Sequence, residues 1–292
     1  MGNSVKYYLA VLIGIFFWSS SFIATKIAYE TFTPMTLCLA RFSIACILLG
    51  IMRIASGDRT RPAKEDLGKF VLSSLFGVGL YYIFENSGVH LTSAGTASLI
   101  AGSYPAVTAL VGLFVYHVPT SRMKLAGIAT AMIGIAVLTL QPGESGGSLI
   151  GNLLLITCGF YWAFYNFVTQ SVPEKYSVST LTFWQIIIST FLFVPAVIAE
   201  NAGIPALTLR TGAAMLYLGI CCSVLAYLFY NYGLRGVSAS TAASIMNLMP
   251  VFGLIFSATI LREPISARQL IGGAIIIFGV ILSTAELSKK NA

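Results

Sequence analysis

The sequence predicts an all-α membrane protein of ten transmembrane helices, arranged as two inverted five-helix repeats. Three observations carry this. Of the 292 residues, 57% are hydrophobic and 9% are charged, where a soluble domain holds about 25% charged. The charges gather in short clusters between apolar runs of about 18–23 residues, the length that crosses ~30 Å of hydrocarbon at ~1.5 Å per residue. The two halves also match each other at a constant offset of 145 residues.

The runs, in order, are Tyr7–Ala24, Pro34–Met52, Leu67–Glu85, Ser93–Tyr116, Lys124–Leu140, Leu149–Thr169, Thr180–Ala199, Gly212–Gly233, Ser240–Leu261 and Leu270–Glu286. Backbone groups in lipid must bond internally, so each is expected to be a helix. The first run follows Lys6, as a signal peptide would. It is long for such a segment, no clear A-x-A site follows it, and its counterpart Leu149–Thr169 is internal, so it is expected to remain as a span. Arg53–Asp66 is the longest polar loop and leaves no room for a soluble domain. With the amino terminus inside, twelve Lys and Arg fall on the inner side and four on the outer. That bias puts both termini in the cytoplasm. The formal charge of +7 is therefore a topology signal, and nucleic-acid binding is set aside. Cys38, Cys46, Cys158, Cys221 and Cys222 all lie in apolar runs without metal spacing and are expected as packing residues.

The repeat is carried by proline, glycine and polar residues. Pro105 falls on Pro250, Pro119 on Pro264, Thr96 on Thr241, and Gly14 on Gly159. Tyr82, Phe84, Asn86 and Gly88 fall on Tyr227, Phe229, Asn231 and Gly233; Gly127 and Gly134 fall on Gly272 and Gly279. The expected units are residues 1–145 and 146–292. Five spans is an odd number, so the second unit enters the membrane upside down relative to the first, a plan that gives a transporter two related gates. Pro105 and Pro250, near the middle of the fourth and ninth runs, are expected as paired hinges.

Polar and aromatic residues recur on single helix faces. Gly14, Trp18, Ser21 and Thr25 share one, and Gly159, Trp162, Asn166 and Thr169 share the equivalent one, with Tyr165 beside them. Tyr82, Glu85 and Asn86 face together on the third run; Tyr227, Tyr230 and Asn231 do so on the eighth. Ser98, Gly102 and Tyr104 stand on the fourth, Ser244 and Asn247 on the ninth. Such groups face protein or water rather than lipid. The expected substrate-binding set is Trp18, Ser21, Tyr82, Asn86, Ser98, Tyr104, Trp162, Tyr165, Asn166, Tyr227, Asn231 and Asn247. A cavity of indoles, phenols and amides suits a small amphiphile, a free amino acid or a hydrophobic cation. Arg41 lies seven residues beyond Pro34. Three outcomes are open to it: snorkelling to the outer surface, an ion pair with Glu85, or a substrate carboxylate. Glu85 is the one candidate for proton coupling, although a facilitator needs none.

His90 and His117 fall on opposite sides, and neither HExxH nor paired embedded carboxylates occur, so no enzyme, metal or cofactor is expected. The chain resembles a bacterial EamA-type transporter of the drug/metabolite transporter superfamily. The resemblance rests on ten runs in two units, the P-x13-P pattern, and Arg262-Glu263-Pro264 followed by Gln269, Gly272 and Gly279. The first unit departs from it, with His117-Val118-Pro119 where glutamate would be usual. Among members, the chain looks like the aromatic amino-acid and methyl-viologen exporters. The resemblance implies a multi-pass inner-membrane exporter of amino acids or related small metabolites, or alternatively of hydrophobic or quaternary cations. It also implies helices five and ten at one edge and a cavity between the others. A small-molecule substrate, the lipid bilayer, and a monomer or weak homodimer complete the expectation.

Overall fold

In a computed structural model, residues 2–118, 121–139, 148–203 and 205–289 are described, without the side chains of 2–4, 139, 240, 243, 244, 247, 280 and 283–289. Pro119, Leu140 and the side chains of Ser244 and Asn247 thus lie outside the described residues. Those residues form helices and no strand. The helices gather into ten stretches: α1 Gly2–Ala28, α2 Pro34–Ala55, α3 Leu67–Leu91, α4 Ala94–Phe114, α5 Arg122–Thr139, α6 Leu149–Gln170, α7 Val178–Glu200, α8 Leu209–Gly233, α9 at 239–261, and α10 Ala267–Lys289. Seven helices, α1 to α4 and α6 to α8, are long and apolar enough to cross a membrane.

Local sequence explains where helices begin. Ser93, Ser148, Ser177, Thr208 and Ser238 each accept a hydrogen bond from the backbone N–H three residues on, at 3.0–3.1 Å. These caps occupy donors that the first helical turn leaves open. α3 runs to Leu91, beyond the predicted end at Glu85, so Glu85, Asn86 and Gly88 are interior to a helix.

Regularity fails at equivalent places in the two halves. α4 breaks after Ala101 and restarts at Tyr104; α9 breaks through a tight turn at Met246–Leu248. Pro105 and Pro250 therefore sit in the first turn of a new helix rather than kinking a continuous one, a position where a missing N–H costs nothing. α3 widens to i→i+5 turns over Leu75–Gly79, and α8 does so over Leu218–Leu225, which contains the equivalent residues. His117 and Arg262, also equivalent, both adopt left-handed backbone, with φ of 51° and 56°.

α5 and α10 pack along their lengths at one edge, against α4 and α9. Glycine makes the approach close. A Cβ at Gly134 would lie 2.9 Å from Gly272 O, and one at Gly279 would lie 2.7 Å from Gly127 O. Those two contacts exchange under the 145-residue shift. Small residues let membrane helices approach in this way. α2 pairs with α7 at the other edge, and α1, α3, α6 and α8 fill the space between. Large apolar side chains point outward, Ile54 being 83% exposed and Leu209 92%. Asn86, Asn166, Thr182, Gln185 and Ser223 are fully buried. Apolar surface outside and hydrogen-bonded polar groups inside suit lipid as the solvent.

Candidate functional site

α1, α3, α6 and α8 bring their predicted faces together. Trp18 meets Trp162 edge-on at 5.1 Å and Tyr227 at 5.1 Å; Tyr230 lies 5.0 Å away. Trp162 also contacts Tyr81 at 5.5 Å and Tyr165 at 5.0 Å. The wide turns anchor this cluster. Side chains from other helices donate to carbonyls within them. Trp18 Nε1 donates to Cys222 O at 3.0 Å, and Tyr227 Oη donates to Gly77 O at 2.6 Å. Gly77 and Cys222 are equivalent residues of the two halves. Gly77 has no room for a side chain, since a Cβ there would lie 2.1 Å from the Tyr165 ring.

The cluster encloses a small chamber lined by Trp18, Ser21, Phe22, Tyr81, Tyr82, Glu85, Trp162, Met246 and Met249. Its volume, about 10 Å³, admits no more than one water. Five predicted residues line it: Trp18, Ser21, Tyr82, Glu85 and Trp162. Phe22, Tyr81, Met246 and Met249 were missed. Helical spacing holds a signal for two of them, because Phe22 follows Trp18 by four residues and Tyr81 precedes Glu85 by four.

Other predicted residues brace the walls. Asn166 Nδ2 donates to Trp162 O at 2.9 Å, and its Oδ1 accepts from Tyr230 Oη at 2.8 Å. Asn86 donates to Tyr82 O at 3.1 Å and to Glu85 at 3.0 Å, and accepts from Tyr29 at 3.0 Å. Tyr104 donates to Leu155 O at 3.1 Å, and Ser98 donates to Gly95 O at 2.8 Å while packing against Gly253. Pro250 sits against Gly102, where a Cβ would be 2.1 Å from the proline ring, so the breaks of α4 and α9 touch.

Asn231 leads outward. It accepts from Tyr165 Oη at 2.6 Å and donates to Thr182 at 2.9 Å and Gln185 at 3.0 Å. It also lines a vestibule of about 390 Å³ with Thr169, Tyr176, Arg235 and Val237. This vestibule opens on the side of the Arg53–Asp66 loop, which Tyr176 joins through Asp66 at 2.8 Å.

The opposite side is fastened. Glu263 accepts from Ala94 N and Gly95 N at 3.1 Å each, at the start of α4. Gln269 donates to Thr96 Oγ1 at 3.1 Å. Glu200 accepts from Thr33 Oγ1 at 2.5 Å and from Met35 N at 3.2 Å, at the start of α2. A carboxylate at a helix amino terminus meets open N–H groups and the positive end of the dipole.

Arg41 neither reaches the surface nor pairs with Glu85. It is fully buried, and its Nε donates to Ser223 Oγ at 2.9 Å. The ion pairs among the described residues involve neither Arg41 nor Glu85. Among the described residues, no group of His, Cys, Asp and Glu could hold a metal ion.

Comparison with known proteins follows the same architecture. Residues 5–140 and 149–285 each match the EamA-like transporter family. An uncharacterized transporter of Archaeoglobus fulgidus is 30% identical over 96% of this chain and 98% of its own. A probable amino-acid metabolite efflux pump of Salmonella typhimurium is 26% identical over 94% of this chain and 93% of its own. A probable terminal-alkyne amino-acid exporter of Streptantibioticus cattleyicolor is 24% identical, with coverage of 94% and 91%. One protein solved by crystallography shares the fold, with a TM-score of 0.71 over 99% of both chains at 18% identity. Seven long apolar helices and two matches to one transporter family make this a multi-pass membrane protein. The chain belongs to the EamA-like transporter family.

Proposed function

We propose that the protein is a secondary transporter of the inner membrane that exports amino acids or related small amphiphiles by alternating access. All ten helices cross the bilayer, as two inverted units over 1–145 and 146–292, with both termini in the cytoplasm. The observation that carries this reading is the small aromatic chamber between α1, α3, α6 and α8, with a separate, larger vestibule beside Asn231 towards the Arg53–Asp66 loop. That arrangement suits an occluded site with an inner approach. The exchanged glycine contacts of α5 and α10 support the inverted repeat. The paired breaks beside Pro105 and Pro250 support two gates that hinge separately. Two relatives carry names of amino-acid export or efflux, which supports the substrate class.

A second reading has its own observation. Trp18, Tyr81, Tyr82 and Trp162 line the chamber, and aromatic rings attract a quaternary or hydrophobic cation at ~0.5–2 kcal/mol each. Counterflow in proteoliposomes separates the two. Phenylalanine, tryptophan, threonine and a quaternary dication are offered to the purified protein. Saturable exchange of the amino acids is expected; movement of the dication alone would replace the first reading with the second.

A further inference from the structure

We infer that Arg41 holds the carboxylate of the transported molecule, so that the chamber selects organic acids and α-amino acids over amines. This rests on the transport function proposed above and names its substrate class.

The guanidinium is a buried cation with an unfilled coordination. Nη1 and Nη2 have no hydrogen-bond partner, although the residue is 0% exposed. Two ring faces flank it, Tyr82 at 4.7 Å and Phe42 at 5.2 Å. Ring faces and the Ser223 hydroxyl cannot neutralise a full charge. Arginine does not deprotonate in a protein, so it cannot escape by becoming neutral. A buried charge left uncompensated is strongly destabilising. The two terminal nitrogens form the planar fork that receives a carboxylate through parallel hydrogen bonds.

Among the described residues no acid forms an ion pair with Arg41, and Glu85 acts on it only electrostatically, without contact. Glu200 and Glu263 are held at helix amino termini. Asp58 and Asp66 are held in the loop before α3. Glu85 receives the Asn86 amide and lines the chamber. The missing anion therefore comes from outside the chain. It enters through the chamber, since the Tyr82 ring that covers the guanidinium is also a chamber wall. Displacement of that one ring opens Arg41 to a ligand stacked on Trp18 and Trp162. The equivalent of Arg41 in the second half is Ile186, also fully buried. The second half thus offers no matching cation, so a bound carboxylate has one partner and the ligand one orientation.

The test reads binding through tryptophan fluorescence of the purified full-length protein in chloride-free buffer. Trp184, half-buried beside the Arg53–Asp66 loop, is first replaced by phenylalanine, leaving Trp18 and Trp162 as reporters. The probes are 3-phenylpropionate, L-phenylalanine and phenethylamine, which share one ring and differ in charged groups. Saturable binding of both carboxylates and none of the amine is expected. Arg41→Gln should weaken carboxylate binding about 10-fold or more, and Arg41→Lys less, since a point charge lacks the fork. Phenethylamine binding as well as 3-phenylpropionate, or Arg41→Gln binding it with wild-type affinity, overturns the inference. So does occupancy by added chloride with neither carboxylate binding. If Arg41→Gln fails to fold, the three probes on the unsubstituted protein and Arg41→Lys decide the matter. Arg41-dependent binding without flux in proteoliposomes would sink the transport function and leave the anion site. Amino-acid flux at wild-type rate in Arg41→Gln would do the reverse.

Discussion

Asn166 shows how a polar side chain on the predicted ligand face comes to be structural. Its amide is occupied at both ends, by Trp162 O and Tyr230 Oη, in a space with no water to substitute. Asn86, Tyr104 and Asn231 are held likewise. Truncating Asn166 to alanine strands the Tyr230 hydroxyl, which is fully buried. An orphaned buried donor costs about 1–3 kcal/mol. Asn166→Ala should therefore lower the melting temperature by several degrees and reduce flux of amino acids and cations alike. A loss confined to amino acids would show instead that the amide touches the ligand.

At the scale of the helix, the two broken helices differ in how their starts are held. Glu263 caps the first turn of α4. Its equivalent in the first half is Val118, which has no carboxylate to offer the start of α9. The vestibule lies on that side, beside Val237. Between the starts of α4 and α9, the carboxylate cap is thus present only at α4, the end away from the vestibule. Glu263→Gln keeps the shape and removes the charge that binds the N–H groups. A cysteine at Ser21, inside the chamber, should then react several-fold faster with an impermeant thiol reagent from the α4-start side. An unchanged rate would mean that the carboxylate is not a latch.

The whole molecule has a polar clasp at the vestibule side. Asp58 accepts from Ser177 at 3.0 Å, and from Thr180, at the start of α7. Lys175 meets Asp66 at 2.7 Å. Hydrogen bonds from Thr180, Thr60 and Ser177 hold Asp58 well below the usual carboxylate range. Lys175 and then Tyr176 depress Asp66. A carboxylate whose value is lowered by folding adds stability above its unfolded value, and that stability fades as pH falls through the folded one. The melting temperature in detergent should therefore drop as pH falls from about 5 to about 3, around the ordinary aspartate value of ~3.9. Asp58→Asn should flatten that drop. The orientation of the whole has its own check, in a cysteine-free background. Ser56→Cys and Gly203→Cys lie in exposed loops at opposite ends of the bundle. Labelling from outside intact cells should reach Gly203→Cys alone. Labelling of both from outside would refute the orientation.

The sequence by itself determined the solvent, the ten helical stretches, the duplication and the faces that turn inward. These are local or periodic properties: run length, helical spacing and a constant offset are written along the chain. Trp18, Tyr82, Glu85 and Trp162 were legible as chamber residues because a polar or aromatic group at helical spacing in an apolar run has nowhere to face but inward. Only the tertiary structure decided which of the inward groups face space and which face each other. Asn166 and Tyr82 are alike by periodicity, yet one is closed by Tyr230 and the other walls the chamber. The same holds for Arg41. Whether an embedded arginine finds the surface, Glu85 or neither depends on contacts between α2, α3 and α8, and no spacing within one helix encodes them. The wide turns at Gly77 and Cys222 and the cap of α4 by Glu263 arise in the same way, from hydrogen bonds between residues over a hundred positions apart.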